Sequence, residues 1–375
     1  MNFKLSLLIA IFSTTLIASC DQTSNPAAPF VLNDSLWTEG TGVNNVNHFY
    51  ASGTNMLTCT FCKLCEQAYI FISKDNGLTW QLDTALHVYN HHDTGPITDP
   101  LWLPAPMTFI KDGSYLLAGE GDVYHGDIYR STDNGVTWSN KSTSWPSDDS
   151  DREDIYSFCL LHGKIFAGTD DGVFVSTDQG TTWSSANIGI PKISFYHAPI
   201  SAIAALGNSL FASTWAFGIY RSDNDGATWR IVNTSDYSFG GLATVGPNIF
   251  AAAFNDYGKP WTGGVFLSTD NGNTWEHVDA GLSDHGVNSI CTDGTYLFVS
   301  TDSSIFASSN GGACWTEIST RLAEQAGNGG ASALYAYGNY LFANSGGGIW
   351  RYPLDSIQGF TFNIKSEKSF KLKGG

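Results

Sequence analysis

Four carboxylates in two loops could do acid–base chemistry: Glu120 and Asp122 in one, Asp151 and Glu153 in the other. Two carboxyl groups held about 5 to 10 Å apart cleave glycosidic bonds, one as acid, the other as nucleophile or base. Aromatic and polar residues stand in the same kinds of loop. They are Tyr89, His91, Asp93 and Trp102; Tyr124 and His125; Trp215 and Phe217; Tyr257 and Trp261; and His285. Rings stack on the C–H faces of a pyranose while carboxylates and amides take its hydroxyls. These residues are the candidate ligand contacts. The weak candidates for catalysis are the four carboxylates alone.

Metal chemistry has less support. His91 and His92 are adjacent, so in an extended segment they point to opposite sides. No helical His-x-x-x-His pair occurs. The run Asp148 to Asp154 lacks the glycine of an EF-type calcium loop and reads as a solvated acidic loop. Neither a metal site nor a cofactor is expected. Cys59, Cys62 and Cys65 are spaced for a disulfide in an exported protein, with one thiol left over. A zinc or iron–sulfur site would need a fourth ligand that has no candidate. Cys159 and Cys291 sit in apolar strands and read as core residues.

A repeat must position these loops. Ser131-Thr132-Asp133-Asn134-Gly135-Val136-Thr137-Trp138 has the pattern Ser-x-Asp-x-Gly-x-Thr-Trp. The same pattern starts at Ser73, Ser176 and Ser268, and in degraded form at Ser222 and Ser308, giving six copies. The third position is Asp75, Asp133, Asp178, Asn224, Asp270 or Asn310. An apolar strand precedes each octet. The Ser/Asp pair suits a tight turn, the Gly supplies its positive φ, and Thr-Trp opens the next strand. The Trp is large enough to fill a gap between neighbouring sheets. The octet resembles the Asp-box, or BNR repeat, of sialidase-like β-propellers.

A second strand–turn–strand pattern accompanies most octets, as in Ile155 to Gly168 around His162-Gly163. Together they give four antiparallel strands, the content of one propeller blade. The last unit, Leu334 to Leu354, has three strands and no octet. Ser35 to Gly40 reads like the stretch after an octet, so it is expected to complete the seventh blade and close the ring. The fold class is therefore all-β, a seven-bladed β-propeller spanning 31–355. The resemblance implies that the octets lie on the face away from any ligand.

The sialidase activity of that family is not expected. Sialidases grip a carboxylate with three arginines. Here Arg130, Arg221 and Arg351 share one repeat position, where other blades carry Ile, Val, Leu or Ala. Such a position is structural, with the head expected in solvent. The Arg-Ile-Pro element of sialidases is missing. Two classes remain. One is a non-catalytic binding protein, as in the photosystem II assembly factors and sortilin-type receptors that share the repeat. The other is a glycoside hydrolase or lyase acting on an extracellular polysaccharide. Xyloglucanases, which resemble the repeat, use a cleft between two propellers, and this chain has one.

The ends complete the reading. Residues 1–19 form a secretory signal, with Lys4 ahead of an apolar run. Ile17-Ala18-Ser19-Cys20 resembles a bacterial lipobox, which implies an acylated Cys20, a lipid anchor and a periplasmic or cell-surface location. Residues 20–30 read as a tether. Residues 356–375 form a tail with four lysines. The net charge of −17 disfavours nucleic acid as a partner. A glycan or an envelope protein is the expected partner, and a monomer the expected state.

Overall fold

The computed structural model describes residues 37–44, 46–52, 55–62, 67–82, 88–89, 108–119, 128–140, 154–193, 196–233, 237–254, 263–319, 322 and 330–357. Its strands form seven antiparallel blades. Blade 3 is representative, with strands Ile155–Leu161, Lys164–Thr169, Gly172–Ser176 and Ser184–Ser185 in spatial order. The first strands of the other blades are Val46–Ser52, Thr108–Asp112, Ile200–Leu206, Phe239–Val245, Val287–Thr292 and Ala333–Tyr337. Each first strand packs against the first strands of the two neighbouring blades, and Ala333–Tyr337 meets Val46–Ser52. The seven blades therefore form a closed ring with the first strands around its axis. Second strands are deeply buried, and Ser209–Thr214 is buried along its whole length.

Apolar burial is divided among seven separate clusters, one at each blade junction, and a wedging tryptophan belongs to each. Trp183 of blade 3 packs with Leu117 and Ile128 of blade 2 and stacks on Phe158. Trp229 reaches Phe166 and Val173 of blade 3. Trp315 reaches Phe250 and Val265 of blade 5. Trp80 reaches Phe342 and Ile349 of blade 7. Trp138 and Trp275 pack into the clusters at the two other octet junctions. Each octet tryptophan is thus a wedge driven into the blade before it.

The seventh wedge comes from the N-terminal side. Thr38–Asn44 pairs antiparallel with Gly348–Pro353, placing Thr38 opposite Arg351. Trp37 just ahead of it packs among Phe298, Ile305 and Leu322 of blade 6. Its indole N–H donates to the carbonyl of Ile318 at 2.8 Å. Trp229 donates in the same way to Ala186, and Trp315 to Val278. In all three the acceptor lies on the crossover from the preceding blade. The expected closure is therefore present, and the closing strand runs four residues beyond Gly40.

Inside each octet the hydrogen bonds repeat. The Ser hydroxyl accepts the glycine N–H, for example Gly135 at 2.8 Å, and donates to the third residue, Asp133 at 2.8 Å. Asp133 then accepts the Thr137 N–H at 2.8 Å and its hydroxyl at 2.6 Å. The residue before the glycine also has positive φ: Asn76, Asn134, Gln179, Asp225 and Asn271. The turn thus needs two successive left-handed residues, which explains the Asn and Asp there. Where Asn224 replaces Asp, its amide donates to Thr228 at 2.9 Å and the ring of bonds survives. In blade 6 both partners change. Asn310 still accepts the backbone N–H of Cys314, which is disulfide-bonded to a cysteine whose side chain lies outside the described residues.

These bonds hold the octet carboxyls below their ordinary pKa. The backbone and side-chain hydrogen bonds from Thr274 pull Asp270 down to about 2. At Asp75, Asp133 and Asp178 slight burial pushes upward, but the threonine and serine hydrogen bonds outweigh it and the carboxyls also fall below their usual range. A folded pKa below the unfolded one stabilises the fold above the unfolded value, and that stability is lost as pH drops through the folded value. Melting temperature should therefore fall as pH goes from the ordinary carboxylate value of 3.8 towards about 2. Asp270→Asn should flatten that acid limb, because Asn224 keeps the same geometry without a proton to gain. An unchanged limb in a variant carrying Asn at all four positions would refute the assignment.

One expectation about the arginines needs correction. Their heads do not end in solvent. Arg351 donates to the carbonyl of Asn76 at 2.7 Å and so ties blade 7 to the octet turn of blade 1. Arg221 donates to the carbonyl of Asn271 in blade 5, and Arg130 to the hydroxyl of Thr181 in blade 3 at 3.3 Å. Arg130 and Arg351 also lie over the rings of Tyr115 and Tyr340. A left-handed turn exposes its carbonyls, and a guanidinium fork can take them. The three arginines sit at three different junctions, so they cannot converge on one carboxylate.

Candidate functional site

Antiparallel order puts two kinds of turn on each face. The turns between first and second strands share a face with the octets: His162 bonds Asp225 of the next octet at 2.8 Å, and Lys164 joins it at 3.1 Å. Hydrogen bonds to the Asp225 carboxylate and the Asn208 amide oxygen, which accept from the ring, raise the His162 pKa. The opposite face carries the turns between second and third strands and the crossovers between blades. There His197, on the crossover into blade 4, meets Asp171 of blade 3 at 2.9 Å. Trp215 and Phe217, two of the candidate ligand contacts, lie on this loop face.

Short loops on this face are pinned by a buried threonine at the end of the second strand. Thr214 donates its hydroxyl to the carbonyl of Gly218 at 2.9 Å and accepts the N–H of Phe217 at 2.8 Å. Thr169 and Thr301 make equivalent bonds in blades 3 and 6. Gly218 has φ +82, and a Cβ there would lie 1.9 Å from the carbonyl of Asn233. The loop bearing Trp215 and Phe217 therefore has little freedom, yet both rings stay open, at 39% and 38% exposure. Trp215 meets the ring of Tyr156 edge-on at 4.9 Å. Tyr156 in turn donates to Asp154 at 3.4 Å.

Tyr156 owes its position to a β-bulge. Register shifts occur between Ile155 and Ser157, Ile200 and Ala202, Phe239 and Gly241, and Val287 and Ser289. Each lies where the chain enters a first strand from its crossover, at the loop-face mouth of the axis. A bulge re-aims one side chain and is common beside binding sites. The re-aimed positions are Tyr156, Ser201, Gly240 and Asn288. The Phe254 ring lies so close to Gly240 that a Cβ would come within 2.2 Å of it. Aromatics thus gather at the mouth on blades 3 to 5.

The remaining candidates divide. His285 lies on the loop face, but its Nδ1 is 3.1 Å from Asp279, which His277 approaches at 3.6 Å. The hydrogen bond from His277 leads the causes that hold the Asp279 carboxyl below its ordinary value. This trio ties the crossover into blade 6. Tyr89 pairs through its backbone with Gln67 at the outer edge of blade 1. His91, Asp93, Trp102, Glu120, Asp122, Tyr124, His125, Asp151, Glu153, Tyr257 and Trp261 lie outside the described residues, as does Cys20. Cys159 and Cys291 are free thiols, and burial raises the pKa of both, that of Cys159 to about 12, as suits core residues.

Sequence reasoning missed Tyr156, Asn288, Asn344 and the Gly346-Gly347 turn. A usable signal existed. In blades 3 to 6 the bulged residue comes directly after the first apolar residue of the first strand, and Gly346-Gly347-Gly348 stands where blade 4 carries Trp215-Ala216-Phe217.

Fold and geometry together define a seven-bladed β-propeller with Asp-box turns on one face and a varied loop face on the other. The BNR/Asp-box repeat family matches residues 129–140 and 174–185, so the chain carries these repeats. No curated protein matches the chain in sequence. Solved structures of the same fold include YCF48 bound to D1 peptide, 13% identical, covering 91% of this chain and 99% of that one at TM-score 0.60. The GH74 xyloglucanase from Xanthomonas campestris is 15% identical, with 85% of this chain and 54% of that one covered, at TM-score 0.58. PorZ, a surface component of the type-IX secretion system of Porphyromonas gingivalis, is 14% identical, with 82% and 50% covered, at TM-score 0.51. The chain spans about half the length of the last two. At these identities the likeness is one of fold.

Proposed function

We propose that the chain is a non-catalytic protein of the cell envelope whose loop face binds a glycan or a protein partner. One observation carries this: Trp215 and Phe217 stand exposed on a loop fixed by Thr214 and Gly218, on the face without octets. A scaffold that fixes a loop and leaves its rings open to water suits recognition. Rings that only pack the loop onto the ring would be buried like the wedges. The similar folds of a peptide-bound YCF48 and of a xyloglucanase support both partner classes. A hydrolase is the second reading, resting on Glu120, Asp122, Asp151 and Glu153 in loops that open from strands ending on this face.

The test is a screen of soluble polysaccharides and envelope extracts, scored for binding and for release of reducing ends. Binding without cleavage is expected. New reducing ends, lost in an Asp151→Asn/Glu153→Gln variant, would move the assignment to the hydrolase.

Export and anchoring belong to the same proposal. Cys20→Ala is expected to shift the protein from the membrane to the soluble fraction and to remove the mass of the acyl chains. A single acyl chain anchors only marginally, so durable anchoring needs more than one. Identical partitioning and mass for parent and variant would show that Cys20 is not lipidated. Among the described residues no helix is long and apolar enough to cross a membrane.

A further inference from the structure

Blade 7 departs from the others on the loop face. Its turn between second and third strands is Gly346-Gly347, both at positive φ, where blade 4 places Trp215 to Gly218. The missing side chains leave a cleft of 310 Å³ between blades 6 and 7. That lies at the small end of ligand pockets, which run from about 300 to 1,000 Å³. Asn288 and Asp302 stand on the blade 6 wall, Ser332 and Asn344 on the blade 7 wall. Among the described residues the cleft is lined by no cation, no aromatic ring and no side chain bulkier than Asn or Asp.

The two walls are built alike. The amide of Asn288, at its bulge, donates to Asp302 at 2.9 Å. The amide of Asn344 donates to the Ser332 hydroxyl at 2.8 Å, and the Ser332 N–H donates to the Asn344 carbonyl at 3.1 Å. Each wall thus holds an amide next to an oxygen acceptor, fixed by a mutual bond. Among the described residues Asp302 has no partner but Asn288, so its second oxygen remains an acceptor. Amide, carboxylate and hydroxyl groups on two facing walls match vicinal hydroxyls, each of which both donates and accepts. A uronate, sialate or phosphate would meet the Asp302 carboxylate with no cation among the described residues to offset it. An apolar ligand would find nothing to bury against.

We infer that the cleft between blades 6 and 7 is a subsite for the hydroxyls of a neutral saccharide. The inference rests on the loop-face reading and narrows it from partners in general to an uncharged glycan. The aromatics on blades 3 to 5 lie across the axis from this cleft. A chain of several sugars can stack on one side and place its hydroxyls on the other, and two linked contacts bind far better than either alone. A monosaccharide reaches only one of them.

The experiment is calorimetric titration of the full chain with cellohexaose, mannohexaose and xylohexaose, with hexagalacturonate as the anionic counterpart. At least one neutral hexaose should bind, more tightly than its own monosaccharide, and hexagalacturonate should not. Ser332→Trp, which plugs the cleft from an exposed position, and Asn288→Ala should each weaken that binding by about tenfold, roughly 1.4 kcal/mol. Melting curves should match the parent. The inference falls if none of the three neutral hexaoses binds, if hexagalacturonate binds better, or if both variants bind as the parent does. The two readings separate cleanly. Loss of binding in Trp215→Ala with normal binding in Ser332→Trp keeps the aromatic face and removes the cleft; the opposite pattern keeps the cleft and removes the aromatic face.

Discussion

Trp37→Ala should lower the melting temperature by roughly 6 to 15 °C. The indole is 4% exposed and packs among blade 6 residues. Truncating a buried Trp to Ala costs about 3–5 kcal/mol. In a domain of some 150–250 residues each kcal/mol moves the midpoint by about 2–4 °C, and a larger ring falls at the low end. The Ile318 carbonyl would also lose its indole donor, and the tilted ring contact with Tyr352 at 5.3 Å would go. Deleting Thr38–Asn44 should cost still more. Gly348–Pro353 would lose its ladder and become an open edge, a template for pairing with other chains. Increased aggregation on heating is therefore expected. A Trp37→Ala protein that melts with the parent would show that the ring does not depend on this wedge.

Trp183→Ala and Trp215→Ala should give opposite results. Trp183 sits between Leu117 and Ile128 of blade 2 and Phe174 of its own blade, so its loss opens a cavity at a junction. A cost of about 3–5 kcal/mol is expected, with ligand affinity unchanged while the ring stays folded. Trp215 is largely open, so Trp215→Ala should leave the melting curve within about 0.5 kcal/mol of the parent. Stacking of a sugar on an aromatic face is lost with it, and affinity should fall by about 1 kcal/mol, or roughly fivefold. Calorimetry and melting curves on both variants decide it. Unchanged melting with lost binding in Trp183→Ala, and normal binding in Trp215→Ala, would place the ligand on the octet face.

The ring was legible in the sequence because each blade repeats one local solution. Ser, Asp, Gly and Trp hold fixed spacings, and each does one physical job in the turn or the junction. The closing strand was legible for the same reason: Trp37 and its neighbours resemble the strand after an octet, and Trp37 fills the wedge that an octet would have supplied. The arginine contacts were not legible. Whether the head of Arg351 finds solvent or the Asn76 carbonyl depends on how far one blade is rotated against the next, which no spacing encodes. The loop face was legible in part. Trp215 and Phe217 stood out by not repeating. Tyr156 and Asn288 did not, because a bulge is marked only by position, one residue past the first apolar residue of a first strand, and not by residue type. The cleft beside Gly346 was hardest of all, since it is made by side chains that are missing.

The seventh wedge also sets an order in time. Trp37 and its acceptor Ile318 are 281 positions apart. A chain made from its N-terminus at about 5–20 residues per second has Trp37 in hand tens of seconds before blade 7 exists. Through that interval blades 1 to 6 have the means to assemble in sequence, each octet tryptophan after Trp80 locking onto the blade before it, while Trp37 and Trp80 both wait for the last blades. Closure is then the last event and the one with the largest loop to bridge, so it carries the entropic burden that slows non-local pairing. A helper that kept residues 37–44 extended and unpaired until synthesis ended would speed folding without touching any contact of the finished ring.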